Sequence, residues 1–489
     1  MESPSPQDEL DRAISQYRLQ RYGDARSSLQ ALLSRDPGNV TAWNVLAYLE
    51  GDLGEAAAAA AAFDRALALR PDDPTALKGR ARIALERAES DVLRRYAAAL
   101  GASPGDPHLI LERTEARIAA GDREAIEEFA EVARRLPSWD EGQIALGRML
   151  WETRQDEGFA DHVRRLLRRD PERFDLWRQY VELLAGCGLY ESAAEAARAA
   201  AGGGDSFRLL EAVHAGRAGD VERAGALFAS LPPQFPGRAL HESVHHIRRQ
   251  ELDLALAGIE TALAENPSDI GGWAVAELIY RKLGDPRSAW LSGQDGLVAT
   301  FELELAPERF AAIKSLLHLL HRTGVQMVDQ SVRSGTQTRW RLFDRPEPEL
   351  AELRRAIEAA LGDYVAALPP ADARHPLLRH RDSPLAITGS WSVRLAAEGY
   401  HVSHIHPKGL ISSACWFEVP GPAVPAGEGA LELGRPPPDL KLDMEPLHVI
   451  APRPGRLVLF PSYLHHGTTP FTAGDRLSVA FDVNRHPLA

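Results

Sequence analysis

Over the first 300 residues apolar positions recur at helical spacing and are cut by proline at near-constant steps. Pro37, Pro71, Pro104, Pro137 and Pro171 are spaced by 34, 33, 33 and 34 residues; the marker is lost near Gly204-Asp205 and returns with Pro233 and Pro267, again 34 apart. A period near 34 is the length of one helix–turn–helix unit. The unit from about residue 40 to 73 carries Trp43, Leu46, Ala59, Phe63, Ala66 and Pro71. Its small residues let two antiparallel helices approach, its large ones fill the groove between them, and proline stops the second helix. Asp-Pro or Asn-Pro pairs end helices at RDPGN, RDPERF and ENPSD, and glycine pairs separate the helices of a unit in YLEGDLGEA, IAAGDREA, GCGLYESA, GRAGDVERA and RKLGDPRSA.

The rhythm changes further on. An amphipathic helix is predicted from about 307 to 322, then SVRSGTQTRWRLFDR breaks the helical period, and one more amphipathic helix ends at Pro369-Pro370. Beyond Pro370 the period becomes two. GSWSVRLAAEG, YHVSHIHPKG, LISSACWFEVP, GALELG, LHVIAP, RLVLFPSY and RLSVAFDV read as short strands bounded by glycine, proline or charge. Many short strands without intervening helices predict a β-sandwich or jelly roll.

Composition narrows the function classes. Of 489 residues 44% are hydrophobic and 26% charged, which excludes a wholly disordered chain. The net charge of −13 argues against nucleic acid as a partner. Cys187 and Cys415 are too few for a disulfide framework or a cysteine-based zinc site, and Cys415 reads as a small buried hydrophobe. Without a long apolar run or a basic-then-apolar N-terminus, the expectation is a soluble, cytoplasmic protein with no membrane partner.

Nine of the seventeen histidines fall between His375 and His486. His404 and His406, two apart on a predicted strand, share a face, whereas His401 is expected to point away. His465 and His466 face opposite sides, so one of them can join the pair. Arg476 and Ser478 share a face of the last strand, and a guanidinium beside a hydroxyl suits a buried carboxylate. His318 and His321, and His241, His245 and His246, read as ordinary helix faces.

The repeats resemble tetratricopeptide repeats over roughly residues 8–300. Such units stack into a solenoid whose concave face binds extended peptides, which implies a peptide or protein partner. H-x-H-P, G-x-L-x-L, F-P-S-x-x-x-H-G and R-x-S-x-x-F over 331–489 resemble the iron(II)- and 2-oxoglutarate-dependent oxygenases, most closely the bacterial group joined to tetratricopeptide repeats. The resemblance implies a multidomain α + β protein: a helical solenoid at 8–300, a capping or linker helix at 301–330, and a double-stranded β-helix with flanking helices at 331–489. It implies a dioxygenase that hydroxylates its substrate, with Fe(II) held by His404, His406 and His466, 2-oxoglutarate by Arg476 and Ser478, and dioxygen as cosubstrate. Trp391 and Arg394 are candidates for the barrel mouth.

His406 stands where this superfamily has Asp or Glu, which leaves the metal site at +2 and the metal's identity open. Glu432 is the nearest alternative carboxylate in sequence. Cys415-Trp416 replaces tyrosines on the third strand, removing a hydroxyl contact to the cosubstrate. Two other readings stay open: a repeat adaptor with a degenerate β domain, and a three-histidine, cupin-like dioxygenase that needs no oxo acid.

Overall fold

The computed structural model describes the whole chain except residues 1–4, 155–157, 325–326, 329, 422–423, 426 and 489. Among the described residues eighteen α-helices lie between Pro6 and Ser292, followed by a largely β region. The class is α + β, a helical repeat array followed by a double-stranded β-helix.

The repeat pattern explains the helix pairs. Helix Val40–Asp52 packs on helix Ala56–Leu69 through fully buried Ala59 and Ala66. Phe63 sits so close over Gly79 that a methyl group there would lie 2.1 Å from its ring. The inter-unit prolines have a second use. Trp43, Trp177 and Trp273 each donate the indole N–H to the carbonyl of the proline six residues earlier, Pro37, Pro171 and Pro267, at 3.0, 3.1 and 2.9 Å. Each of these turns is thereby fastened to the first helix of its following unit. First helices of successive units touch one another, so they line one face of the array, the inner face of a solenoid of this type.

Among the described residues nine strands follow: β1 Ala299–Glu302, β2 Val332–Gln337, β3 Leu385–His401, β4 Ile411–Glu418, β5 Leu431–Leu433, β6 His448–Ile450, β7 Arg456–Pro461, β8 His466–Thr468 and β9 Arg476–Arg485. They form an antiparallel sheet in the order β1-β7-β4-β9-β3-β2 and a smaller one in the order β6-β5-β8. Alternation along β4 sends Ser412, Ala414 and Trp416 toward the smaller sheet and Ser413, Cys415 and Phe417 outward. On the outer face helix Pro307–Leu320 stacks Phe310 on Phe417 at 4.9 Å between ring centres. Cys415 is fully buried there, and burial pushes its thiol pKa up.

Three features depart from the sequence pattern. YHVSHIHPKG is not a strand of its own: its first two residues end β3 at His401, and beyond them only His404 bridges, to His466. β8 carries its histidine in a strand too short to show a period. β1 falls where a solenoid end and linker were expected, yet pairs with β7 from Ala299↔Leu459 to Glu302↔Arg456.

The last repeats and the sheet share one apolar core that runs from Ile247 to Val483. Polar contacts reinforce it. Tyr463 Oη donates to the Leu291 carbonyl (2.5 Å), Tyr364 Oη to that of Leu297 (2.7 Å), and Arg248 pairs with Asp439 (2.6 Å). Among the described residues no helix is long and apolar enough to cross a membrane.

Candidate metal centre and anion pocket

His404 and His466 are brought together by backbone. The His404 amide donates to the His466 carbonyl (3.0 Å) and the His466 amide to that of His404 (2.9 Å). This approach requires the glycine after His466. A Cβ on Gly467 would lie 2.9 Å from the His401 carbonyl and 3.1 Å from the Ser403 nitrogen, so the histidine–glycine pair is a packing requirement.

One ring nitrogen from each of His404, His406 and His466 lies within 4.8 Å of the others. The opposite nitrogens are anchored. Nδ1 of His404 donates to the Val402 carbonyl (2.8 Å), Nδ1 of His466 to that of Leu464 (3.0 Å), and Nδ1 of His406 to Asp482 Oδ1 (2.5 Å). Carbonyl and carboxylate oxygens only accept, so each Nδ1 carries the proton and each Nε2 is left as a lone pair. The Nε2 atoms of His404 and His406 are 3.2 Å apart. Burial, and then the neighbouring His406, pushes the pKa of His404 down to about 3; burial and the neighbouring rings hold His466 well below the ordinary range. The lone pairs of His404 and His466 therefore persist at neutral pH. Trp391 meets the His406 ring edge-on at 5.3 Å, and Phe460 meets that of His466 at 4.9 Å.

Close enough to His401 to lower its pKa lies a buried cation. Arg476 is 2% exposed, its Nη1 donates to the Gly429 carbonyl (2.9 Å), and its Nε has no partner. Burial with no carboxylate beside it brings its pKa down to about 10. The Trp416 ring lies 6.0 Å from the guanidinium, and its indole N–H is also buried and unpartnered. Ser478 pairs with Trp416 in register and shares its face of β9 with Arg476. A charge and a dipole left unsatisfied inside a protein are costly unless an anion completes them.

Two expectations need correction, those for His401 and Arg394. His401 does not point away: its Nδ1 lies 3.1 Å from Ser331 Oγ, which is 3.3 Å from His404 Nε2. The strand parity that predicted otherwise ends at His401 itself. Arg394 is not at the barrel mouth with Trp391. It pairs in register with Leu477, on the outer face, and its Nη2 bonds Asp475 (2.7 Å). Glu432 is held by Arg435 at 2.5 Å and does not join the histidines. His465 also stays outside the group, its buried Nδ1 unpartnered. His321 bonds Thr336 (2.9 Å) and Ser392 (3.0 Å), His318 pairs with Glu418 (2.8 Å), and His246 with Glu251 (2.7 Å).

Two residues carry weight that the sequence did not reveal. Asp482 holds His406 and accepts from Ser412 Oγ at 3.0 Å. Trp416 brings an N–H to the place where a tyrosine hydroxyl was thought missing. For Asp482 the signal was its even spacing from Arg476 and Ser478 on β9.

Residues 389–482 match the family described as "Putative 2OG-Fe(II) oxygenase", and residues 10–74 and 45–107 match the tetratricopeptide repeat family. The chain thus matches the tetratricopeptide repeat family near its N-terminus and a family of putative 2OG-Fe(II) oxygenases near its C-terminus. No curated protein matches it. Among solved structures it is similar to a tetratricopeptide repeat protein from Parabacteroides merdae (16% identity, 51% of this chain and 97% of that one, TM-score 0.35). It is also similar to the viral collagen prolyl hydroxylase of Paramecium Bursaria Chlorella virus-1 in its 2OG complex (12% identity, 38% and 95%, TM-score 0.27). A third is HygX from Streptomyces hygroscopicus with nickel, 2-oxoglutarate and hygromycin B (14% identity, 39% and 83%, TM-score 0.26).

Proposed function

We propose that the protein is an Fe(II)- and 2-oxoglutarate-dependent oxygenase that hydroxylates a peptide or protein side chain recruited by its helical repeats. One observation carries the reading: three histidine rings close enough to share a metal lie in the same β region as a buried arginine whose Nε has no partner. Three neutral imidazoles suit iron and leave room in its coordination sphere for a bidentate oxo acid and dioxygen. When bound, iron(II) supplies the redox chemistry by which 2-oxoglutarate, dioxygen and a C–H bond become succinate, carbon dioxide and a C–OH.

The protein's part is placement. His404, His406 and His466 hold the metal, their tautomers fixed by Val402, Asp482 and Leu464. Arg476 binds the far carboxylate of 2-oxoglutarate, with the Trp416 indole and Ser478 hydroxyl as further donors. Trp391 shields the His406 side of the centre.

The test is Arg476→Ala. Removing one partner of a buried, hydrogen-bonded charge pair costs about 2–5 kcal/mol, so the Kd for 2-oxoglutarate will rise at least ~30-fold by anaerobic titration while the metal still binds. Substrate turnover that survives this substitution would exclude the oxo acid and leave the three-histidine dioxygenase reading.

A further inference from the structure

The inner face of the solenoid is not empty. Beyond β2 the chain runs into it as Thr338-Arg339-Trp340-Arg341. Trp340 packs on the cluster of Ala81, Leu85, Tyr96 and Leu109, contributed mainly by first helices Pro74–Glu86 and Pro107–Ala119. Arg339 Nη2 bonds Glu152 at 2.5 Å on the next first helix, Asp140–Arg154, and that carboxylate side chain is only 4% exposed. Arg341 lies against Gly54, where a Cβ would come within 2.9 Å of its Nη1, and near enough to Glu86 to lower its pKa. Val328 packs into a cluster further along the array, around Leu176 and Val181, and its amide reaches Glu152 at 3.4 Å.

Shape and charge agree. The wall presents Glu86, Glu115 and Glu152 around an apolar patch; burial pushes the carboxyl pKa of Glu86 and Glu115 up, as for carboxylates that want a cation. Glu115 has no hydrogen bond or ion pair among the described residues and lines a cleft of about 350 Å³ with Thr338, Trp340 and Trp391. Trp391 is the residue in edge contact with His406. Trp340 itself has φ +57, a left-handed backbone uncommon for a bulky residue. Such strain costs about 1–3 kcal/mol and persists only when the surroundings impose it.

We infer that the inner face between helices Pro74–Glu86 and Asp140–Arg154 is a groove for extended peptides of arginine–aromatic–arginine pattern, filled by the chain's own Arg339-Trp340-Arg341, which a recruited partner must displace. The inference rests on the recruiting role proposed above. Its test reads peptide binding alone, so it stands or falls separately from the metal centre. Displacement would also widen the cleft beside Trp391, linking capture to access.

The probe is a fluorescent peptide copying residues 336–345. A tethered segment competes at an effective concentration of order 1 mM, so a probe with an intrinsic Kd of ~10 μM is suppressed ~100-fold in the wild type. In the full-length Arg339→Ala/Trp340→Ala variant the probe is expected to bind at least tenfold tighter than in the wild type. Equal or absent binding in both proteins overturns the inference. Should that variant misfold, amide exchange in full-length Glu152→Lys decides. Faster exchange at 338–341 with β4 unchanged supports the docking, and unchanged exchange at 338–341 rejects it.

Discussion

His466→Ala will abolish the weak visible band that iron(II) and 2-oxoglutarate give together under anaerobic conditions, and His465→Ala will leave it in place. The two residues are neighbours, but only His466 turns an anchored ring toward His404 and His406. Loss of a partner outside the ligand set already costs about 10–100-fold in metal affinity, so loss of a ligand should exceed ~100-fold. Direct metal titration by calorimetry separates a lost metal from a lost oxo acid. A band that survives in His466→Ala and vanishes in His465→Ala would reverse the assignment. A wild-type protein that binds neither metal nor oxo acid would favour the adaptor reading.

Asp482→Asn is expected to weaken divalent metal binding by about 10–100-fold, measured with iron(II) or cobalt(II) and no oxo acid. Three histidines bring no negative charge to the metal, whereas a ligand carboxylate brings one. The carboxylate is present here one ring further out, 2.5 Å from Nδ1 of His406 and braced by Ser412. It makes the imidazole a stronger donor by drawing on its proton. Asparagine preserves an acceptor of the same size without the charge, so the substitution separates electrostatics from orientation. Unchanged affinity in Asp482→Asn would mean that His406 needs only to be held in place.

Asp482 also shows where sequence reasoning reaches its limit. Proline spacing exposed the repeats because each unit's packing is local and recurs in register. The four short motifs collected His404, His406, His466, Arg476 and Ser478 because chain order survives in the β region, and strand periodicity held for Arg476 and Ser478 on β9. What stayed hidden depends on contacts across long loops. His406 and Asp482 are 76 residues apart, and no local pattern pairs them. His401 was misplaced because parity holds only within a ladder, and the ladder stops there. Arg394 was a different error: an odd offset from Trp391 already puts the two on opposite faces of β3. The occupant of the solenoid groove was visible as SVRSGTQTRWRLFDR, but only as a stretch that broke a rhythm.

β1 has a consequence for how this chain can be taken apart. It lies before residue 331, outside both family matches, yet it covers the free side of β7. A fragment beginning at 331 would bare the main-chain donors and acceptors of β7, beside fully buried Leu457 and Leu459, and so offer a template for edge-to-edge association. The smallest fragment that keeps this edge covered therefore starts before Ala299, and recombination that moves the β region to another carrier must take the end of the old one with it.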